Sequence, residues 1–264
     1  MEDPTPPALA PTLDRLTLAD PLFISDLHLS EAQPRTLARF ERFVANEARK
    51  CAELLILGDL FEFWAGDDAT DDAVAGRAEA ALGDLTFAGV RVYLMHGNRD
   101  LLLGNDFARR CGATLLVDPT LAQIAGSTVM LTHGDVYCTL DVDYQRFRAQ
   151  ARNPVLQRMF LAKSLAERRA FLGQARSVSE VGKQQKSMEI MDVTPEAIDD
   201  ALRRASVTLM IHGHTHRPAI HRTVLDGNAA ERWVLPDWDF DAEPVRGGYL
   251  KIAAGEWRRV DLEL

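Results

Sequence analysis

A chain of 264 residues is long enough for one large domain with a substantial core. Its 47% apolar and 26% charged residues are those of a globular protein, and a net charge of −9 speaks against broad, sequence-independent nucleic-acid binding. The three cysteines, Cys51, Cys111 and Cys138, have no CxxC spacing, so a zinc ribbon and a disulfide framework give way to a reducing compartment, and no apolar run approaches the ~18 residues of a membrane span.

Residues 1–20 carry Pro4, Pro6, Pro7 and Pro11, with Glu2 and Asp3 where a signal peptide would be basic. They are expected to form a loose leader, neither secreted nor targeted, before a single domain at 21–264. The pattern then predicts a strand at Leu22–Ser25 and a helix at Thr36–Lys50, in which Leu37, Phe40 and Val44 recur at helical spacing. Glu53–Leu57 reads as a strand buried on both faces. Asp71 or Asp72 is placed to cap a helix running to Leu85, followed by a strand at Val90–Met95 and a short helix at Leu102–Arg110. This alternation predicts an α/β sandwich. Short strands are expected at Thr114–Val117, Leu121–Ile124 and Thr128–Thr132.

From about 141 to 190 the texture turns helical and basic. Residues 146–186 hold ten Lys or Arg against two Glu, a net +8 within an acidic chain, and such asymmetry signals a partner. Thr194-Pro195-Glu196 opens another helix, a strand follows at Val207–Ile211, and Trp233–Leu235 and Tyr249–Ile252 read as strands of a second sheet. The predicted architecture is two stacked sheets flanked by helices, with a helical insertion over one end.

Five apolar strands break into polar residues: Asp26-Leu27-His28, Gly58-Asp59, Gly97-Asn98-Arg99-Asp100, His133-Gly134-Asp135 and Gly213-His214-Thr215-His216. Each alone reads as a turn, a cap or a satisfied histidine; delivered together to one rim they make a site. Three carboxylate or amide oxygens and four imidazoles suit Mn²⁺, Fe²⁺ or Zn²⁺, and seven ligands are too many for one tetrahedral ion. Two cations ~3.5–4 Å apart can share a hydroxide and clamp a phosphoryl group.

These five blocks resemble those of the calcineurin-like metallophosphoesterases from about Leu22 to Arg217. The resemblance implies an α-β-β-α sandwich of two mixed sheets with a helical lid. It also implies that Asp26, His28, Asp59 and His216 hold one metal, and that Asp59, as bridge, with Asn98, His133 and His214 holds the other. A closer resemblance is to the UDP-2,3-diacylglucosamine pyrophosphatases of lipid A synthesis, through Asp59-Leu60-Phe61-Glu62-Phe63-Trp64, Gly97-Asn98-Arg99-Asp100, His133 to Thr139, Ile190-Met191-Asp192-Val193 and His212 to Pro218. It implies two Mn²⁺, an acylated UDP-sugar split at the α-phosphorus into lipid X and UMP, and a peripheral place on the cytoplasmic side of the bacterial inner membrane. Asp59, Arg99 and His214 are then the catalytic residues. Asn98, Arg99, Asp141, Arg176, Ser179, Lys186 and His214 face the substrate, with Lys183 where the family usually has an amide.

Arg99 bears on the reaction independently. A phosphate leaving group needs little protonation, and a permanent guanidinium offsets its charge; the bland alternative is an ion pair with Asp100 or Asp67. The insertion interleaves its charges with Val155, Leu156, Met159, Phe160, Leu161, Leu165, Phe171 and Leu172, which suits acyl chains and an anionic membrane surface, or an ordinary hairpin packed on the core. No nucleic acid and no obligate protein partner are expected. A soluble nucleotide pyrophosphatase, a nuclease and a non-catalytic adaptor of the same fold remain as alternatives. His96 and His212 are expected to stabilise the loops, His221 to be incidental and Cys138 to pack; Glu62, Asp67 and Asp68 are left between orienting ligands and capping helices.

Overall fold

Strands with no polar face need cover on both sides, and β2 (Pro21–Ile24), β3 (Glu53–Leu57) and β4 (Arg91–Met95) are such strands. In the structure, a computed structural model that describes residues 16–174, 190 and 192–263, they lie parallel in register at the centre of one six-stranded sheet. The side chains divide with the two-residue period of a strand. Leu22, Ile24, Leu54, Ile56, Val92 and Leu94 face one core, shared with the helices α1 (Pro34–Asn46) and α2 (Ala73–Phe87). Phe23, Leu55, Leu57 and Met95 face a second core against the other sheet.

That other sheet also has six strands. β7 (Ser127–Leu131) and β8 (Leu209–His212) are parallel neighbours at its centre, between β6 (Thr120–Ile124) and β10 (Asn228–Val234). Val129, Leu131 and Ile211 point into the inter-sheet core, while Met130 and Met210 pack beneath the helix Pro195–Ala205. The layers are therefore helix, sheet, sheet, helix, as expected. The five strands that carry the polar blocks are split three and two between the sheets, and their carboxyl ends meet at one rim.

Several expectations need revision. The tail strands do not share a sheet: β10 pairs with β8, whereas β11 (Gly248–Ala253) runs antiparallel to β2 in the first sheet. Short apolar runs announce strands, but nothing in their period names the neighbour. The leader is also shorter than expected, because Leu16–Leu18 forms β1, parallel to β6, with Leu18 buried. Residues 1–15 lie outside the described residues. Thr36–Lys50 is one helix to Asn46 and then a 3-10 turn, Ala48–Lys50.

After the short helix α3 (Asn105–Arg110) and the edge strand β5 (Thr114–Leu116), the insertion contributes α4 (Val142–Ala151), α5 (Pro154–Leu161) and a further helix, α6, at 165–174. Neither α4 nor α5 buries a residue, so no apolar core holds them. Arg168 and Arg169 of α6 instead pair with Asp68 and Asp71 in the loop after β3.

The helix starts show local and distant solutions to one problem, the unpaired amides of a first turn. Asp72 caps α2 by accepting from the Val74 and Ala75 amides at 2.9 Å. Gln33 gives α1 no such bond; Asp241, from the far end of the chain, accepts from the Arg35 and Thr36 amides at 3.0 and 2.9 Å and from the Thr36 hydroxyl at 2.8 Å. Burial works against that carboxylate's charge, but the two amides and the hydroxyl outweigh it and hold its pKa below the ordinary value. Asp241→Ala should cost about 1–2 kcal/mol, as a lost cap does. A depressed carboxyl pKa stabilises only above the unfolded value, so the gap in melting temperature between wild type and variant should be constant above about pH 5 and close as pH falls below about 4. A gap that persists in acid would mean that the ionised cap is not its source.

Candidate metal centre

At the rim the backbone leaves its strands through sparsely populated conformations. Asp26, His28, Asp59, His214 and His216 all have positive φ, between 50° and 67°. Each such residue costs on the order of 1 kcal/mol and persists only where its surroundings over-determine it. The surroundings here are ladders that outlast the strands. The Asp26 amide donates to Gly58 O, the Leu27 and His28 amides to Asp59 O, and the Gly213 amide to His133 O, all at 2.9–3.1 Å.

Five of the seven predicted ligands form two overlapping groups of side-chain donors, each within 4.8 Å: Asp26, His28 and His216, and Asp26, Asp59 and His133. Asp59 is 2% exposed, and its Oδ2 lies 3.8 Å from His28 Nε2 and 3.7 Å from His133 Nε2. One oxygen nearly equidistant from an imidazole of each half-site is where a shared ligand belongs. Its other oxygen is held at 2.8 Å by the Arg99 amide. Asn98 Oδ1 is 3.1 Å from His133 Nε2, and the His214 ring stands edge-on to His133 with centroids 5.0 Å apart. His216 Nε2 is 3.2 Å from His28 Nε2. All seven predicted ligands thus come together.

The donor set fits a pair of divalent cations. Asp26 Oδ1 is buried with no hydrogen-bond partner among the described residues, while Oδ2 is saturated by the Ser25 hydroxyl at 2.6 Å and the His214 amide at 2.8 Å. A buried carboxylate oxygen without a donor is costly unless a cation takes it. Burial disfavours the charged form of the His133 ring, yet the carboxylates of Asp59, Asp26 and Asp135 outweigh it and raise its pKa to about 9. Burial and the neighbouring His133 lower His214 to about 4, leaving it a neutral imidazole ready to ligate. The field of the carboxylates calls for positive charge at the positions that the imidazoles face.

The surrounding groups orient these side chains. Glu62, undecided from sequence, lies 3.0 Å from His28 Nδ1 and 3.7 Å from an Arg99 nitrogen. Arg99 therefore faces Glu62 rather than Asp100 or Asp67. Its Nε is buried without a partner among the described residues. Asp100 accepts from the Leu60 and Gly97 amides at 2.8 Å, and Asp67 accepts from the first-turn amides of the short helix Asn105–Arg110. Asp68 holds Arg168. His96 Nε2 contacts the Leu103 carbonyl, and His212 lies between the Gly213 carbonyl and Arg232, so both stabilise loops as expected. Cys138 is buried, and burial first, then Asp135, Asp192 and Asp141, push its thiol up to about 12, which suits packing and not nucleophilic attack.

Sequence reasoning missed Asp237, whose carboxylate is 3.6 Å from His216 Nδ1 and 3.0 Å from Arg246. The signal was present, since Trp233-Val234-Leu235-Pro236-Asp237 is another apolar strand breaking into an acid at the same rim. Tyr144, stacked on His214 with centroids 6.0 Å apart, was also missed, and nothing local to it gives a clue. Of the proposed substrate contacts, Asp141 caps α4 through the Tyr144 amide. Arg176, Ser179, Lys183 and Lys186 lie outside the described residues.

A two-sheet sandwich whose strand ends gather aspartate, asparagine and histidine about a shared carboxylate defines a metal-dependent phosphoesterase. The calcineurin-like phosphoesterase pattern matches residues 21–218, and this chain belongs to that family. Among curated proteins it is 49% identical over 243 residues to a UDP-2,3-diacylglucosamine hydrolase of Bordetella pertussis, covering 91% of this chain and 94% of the relative. Proteins of the same name from Cellvibrio japonicus and Ralstonia nicotianae are 47% and 45% identical, covering 89% and 88% of this chain and 98% and 89% of the relatives.

The position of Asp59 depends on a glycine. A Cβ on Gly97 would lie 1.9 Å from Asp59 Oδ1, so Gly97→Ala should displace that carboxylate. Elemental analysis after loading with a divalent metal should find roughly one ion or fewer per chain in the variant against about two in wild type. Equal metal content in the two would contradict so tight a packing of Asp59.

Proposed function

We propose that this protein hydrolyses the pyrophosphate bond of UDP-2,3-diacylglucosamine, releasing UMP and 2,3-diacylglucosamine 1-phosphate for lipid A synthesis. The observation that carries the reading is the complete ligand set around Asp59 beneath an uncored lid. Relatives of that name, 45–49% identical over most of this chain, support the same substrate.

Asp26, His28, Asp59 and His216 would hold one cation and Asp59, Asn98, His133 and His214 the other; Mn²⁺ is the proposed metal, and Fe²⁺ or Zn²⁺ suits the same donors. When bound, the pair supplies Lewis acidity and activates water for in-line displacement at the α-phosphorus. The protein's own part is orientation and charge. Asp59, fixed by the Arg99 amide, keeps the half-sites in register. The Arg99 guanidinium, beside Glu62, would offset charge on the departing sugar phosphate. That leaving group needs no strong acid, and neutral His214 suits a ligand that also touches substrate oxygen.

The lid supplies the acyl site. Met159 is 63% exposed, Phe171 55% and Leu156 44%, and Phe160 and Phe171 meet edge to face at 5.4 Å. This apolar surface, interleaved in the chain with Arg158 and Lys163, suits two acyl chains and the cytoplasmic face of an anionic inner membrane. Among the described residues no helix is long and apolar enough to cross a membrane.

Incubation of the Mn²⁺-loaded protein with UDP-2,3-diacylglucosamine in detergent should yield UMP, and in ¹⁸O-water the label should enter UMP and not the sugar phosphate. Asp59→Ala should abolish turnover, and removal of both acyl chains should lower kcat/KM at least about 100-fold, since buried methylenes are worth ~0.8 kcal/mol each. Absence of UMP from metal-replete protein would sink the reading. Faster turnover of a deacylated UDP-sugar would favour a soluble nucleotide pyrophosphatase.

A further inference from the structure

Asp135 is not among the ligands, yet its buried carboxylate is where the lid meets the metal loops. Its Oδ2 accepts from the Tyr144 hydroxyl at 2.6 Å and from Arg148 Nε at 2.8 Å, with an Arg152 nitrogen at 3.6 Å. All three side chains belong to α4 or to Arg152, its C-terminal cap residue. Because α4 buries no side chain, this polar attachment rather than an apolar interface fixes the lid's first helix.

The same side chains continue into one half of the metal centre. Arg152 donates to the Gly97 carbonyl at 3.2 Å, directly before Asn98. The Tyr144 ring lies at 27° to the His214 ring. Asp135 itself follows His133 by two residues in a loop whose turn is made by Gly134 at φ 112°. Asn98, His133 and His214 are thus each one step from the Asp135 cluster. The other half-site has supports of its own, Ser25 on Asp26, Glu62 on His28 and Asp237 beside His216, none of them from the lid, and meets the second half-site only through Asp59 and the His214 backbone amide on Asp26.

We propose that Asp135 is a positioning residue that makes α4 part of the second half-site. The lid's first helix holds Asn98, His133 and His214 in place for the second cation, and loosening that helix weakens the second ion while sparing the first. The inference rests on the two-cation part of the function proposed above and is independent of which substrate is cleaved.

The test is a Mn²⁺ titration of the full-length protein after chelator treatment, following free Mn²⁺ by electron paramagnetic resonance, in wild type, Arg148→Met, Arg148→Lys and Tyr144→Phe. Arg148→Met should weaken the second binding step about tenfold or more, the range for groups that support metal ligands, and change the first by less than about twofold. Arg148→Lys, which keeps a charged donor, should recover part of the loss. Tyr144→Phe leaves the ring on His214 and removes only the hydroxyl, so it should fold and show the same selective loss in smaller degree; it decides the matter alone if Arg148→Met does not fold. An unchanged second step, or equal weakening of both steps, overturns the proposal. A wild type that takes up a single ion overturns the two-cation reading instead, and the two failures are distinguishable.

Discussion

The structure turns on a single carboxylate held between two sheets. Asp59 leaves the central strand of one sheet in a left-handed conformation and presents Oδ2 about equally to His28, from its own sheet, and to His133, from the other. That position is possible only because Gly97 allows the backbone to pass against it and the Arg99 amide fixes its other oxygen. The inter-sheet core of Phe23, Leu55, Leu57, Val129, Leu131 and Ile211 sets the spacing of the sheets, and thereby of the two half-sites. Apolar packing and metal geometry are one constraint seen from the core and from the rim.

The price is strain and buried charge. Asp26, His28, Asp59, His214 and His216 in left-handed backbone cost several kcal/mol together at the usual rate. Asp26, Asp59, Asp100 and Asp135 are all buried within the same rim. Arginines, imidazoles and backbone amides offset part of that charge, as with Arg148 on Asp135 and the Gly97 and Leu60 amides on Asp100. Divalent cations would complete the balance, which is why a site so poor as a stabilising element is coherent as a functional one.

Much of this was legible in the residues. Strands buried on both faces are continuous apolar runs, so Glu53–Leu57 could be bounded to the residue, and a ligand block that follows each run keeps its place in the sequence after folding. What escaped depends on partners far apart in the chain. The cap of α1 is Asp241, the neighbour of β2 is β11, and the contact of His214 is Tyr144. The edge strands β9 (Ile220–Leu225) and β12 (Glu256–Asp261) were missed because their exposed sequences lack the buried-strand pattern. Arg99 shows both sides: its placement at the rim followed from the motif, whereas its actual neighbour, Glu62, became clear only from the fold.

The central claim is that Asp59 joins two cations. Anomalous diffraction from crystals of the Mn²⁺-loaded protein tests it most directly. Two manganese peaks about 3.5–4 Å apart, one on each side of Asp59 Oδ2, are the predicted result. A single peak, or two peaks of which only one touches Asp59, would contradict it.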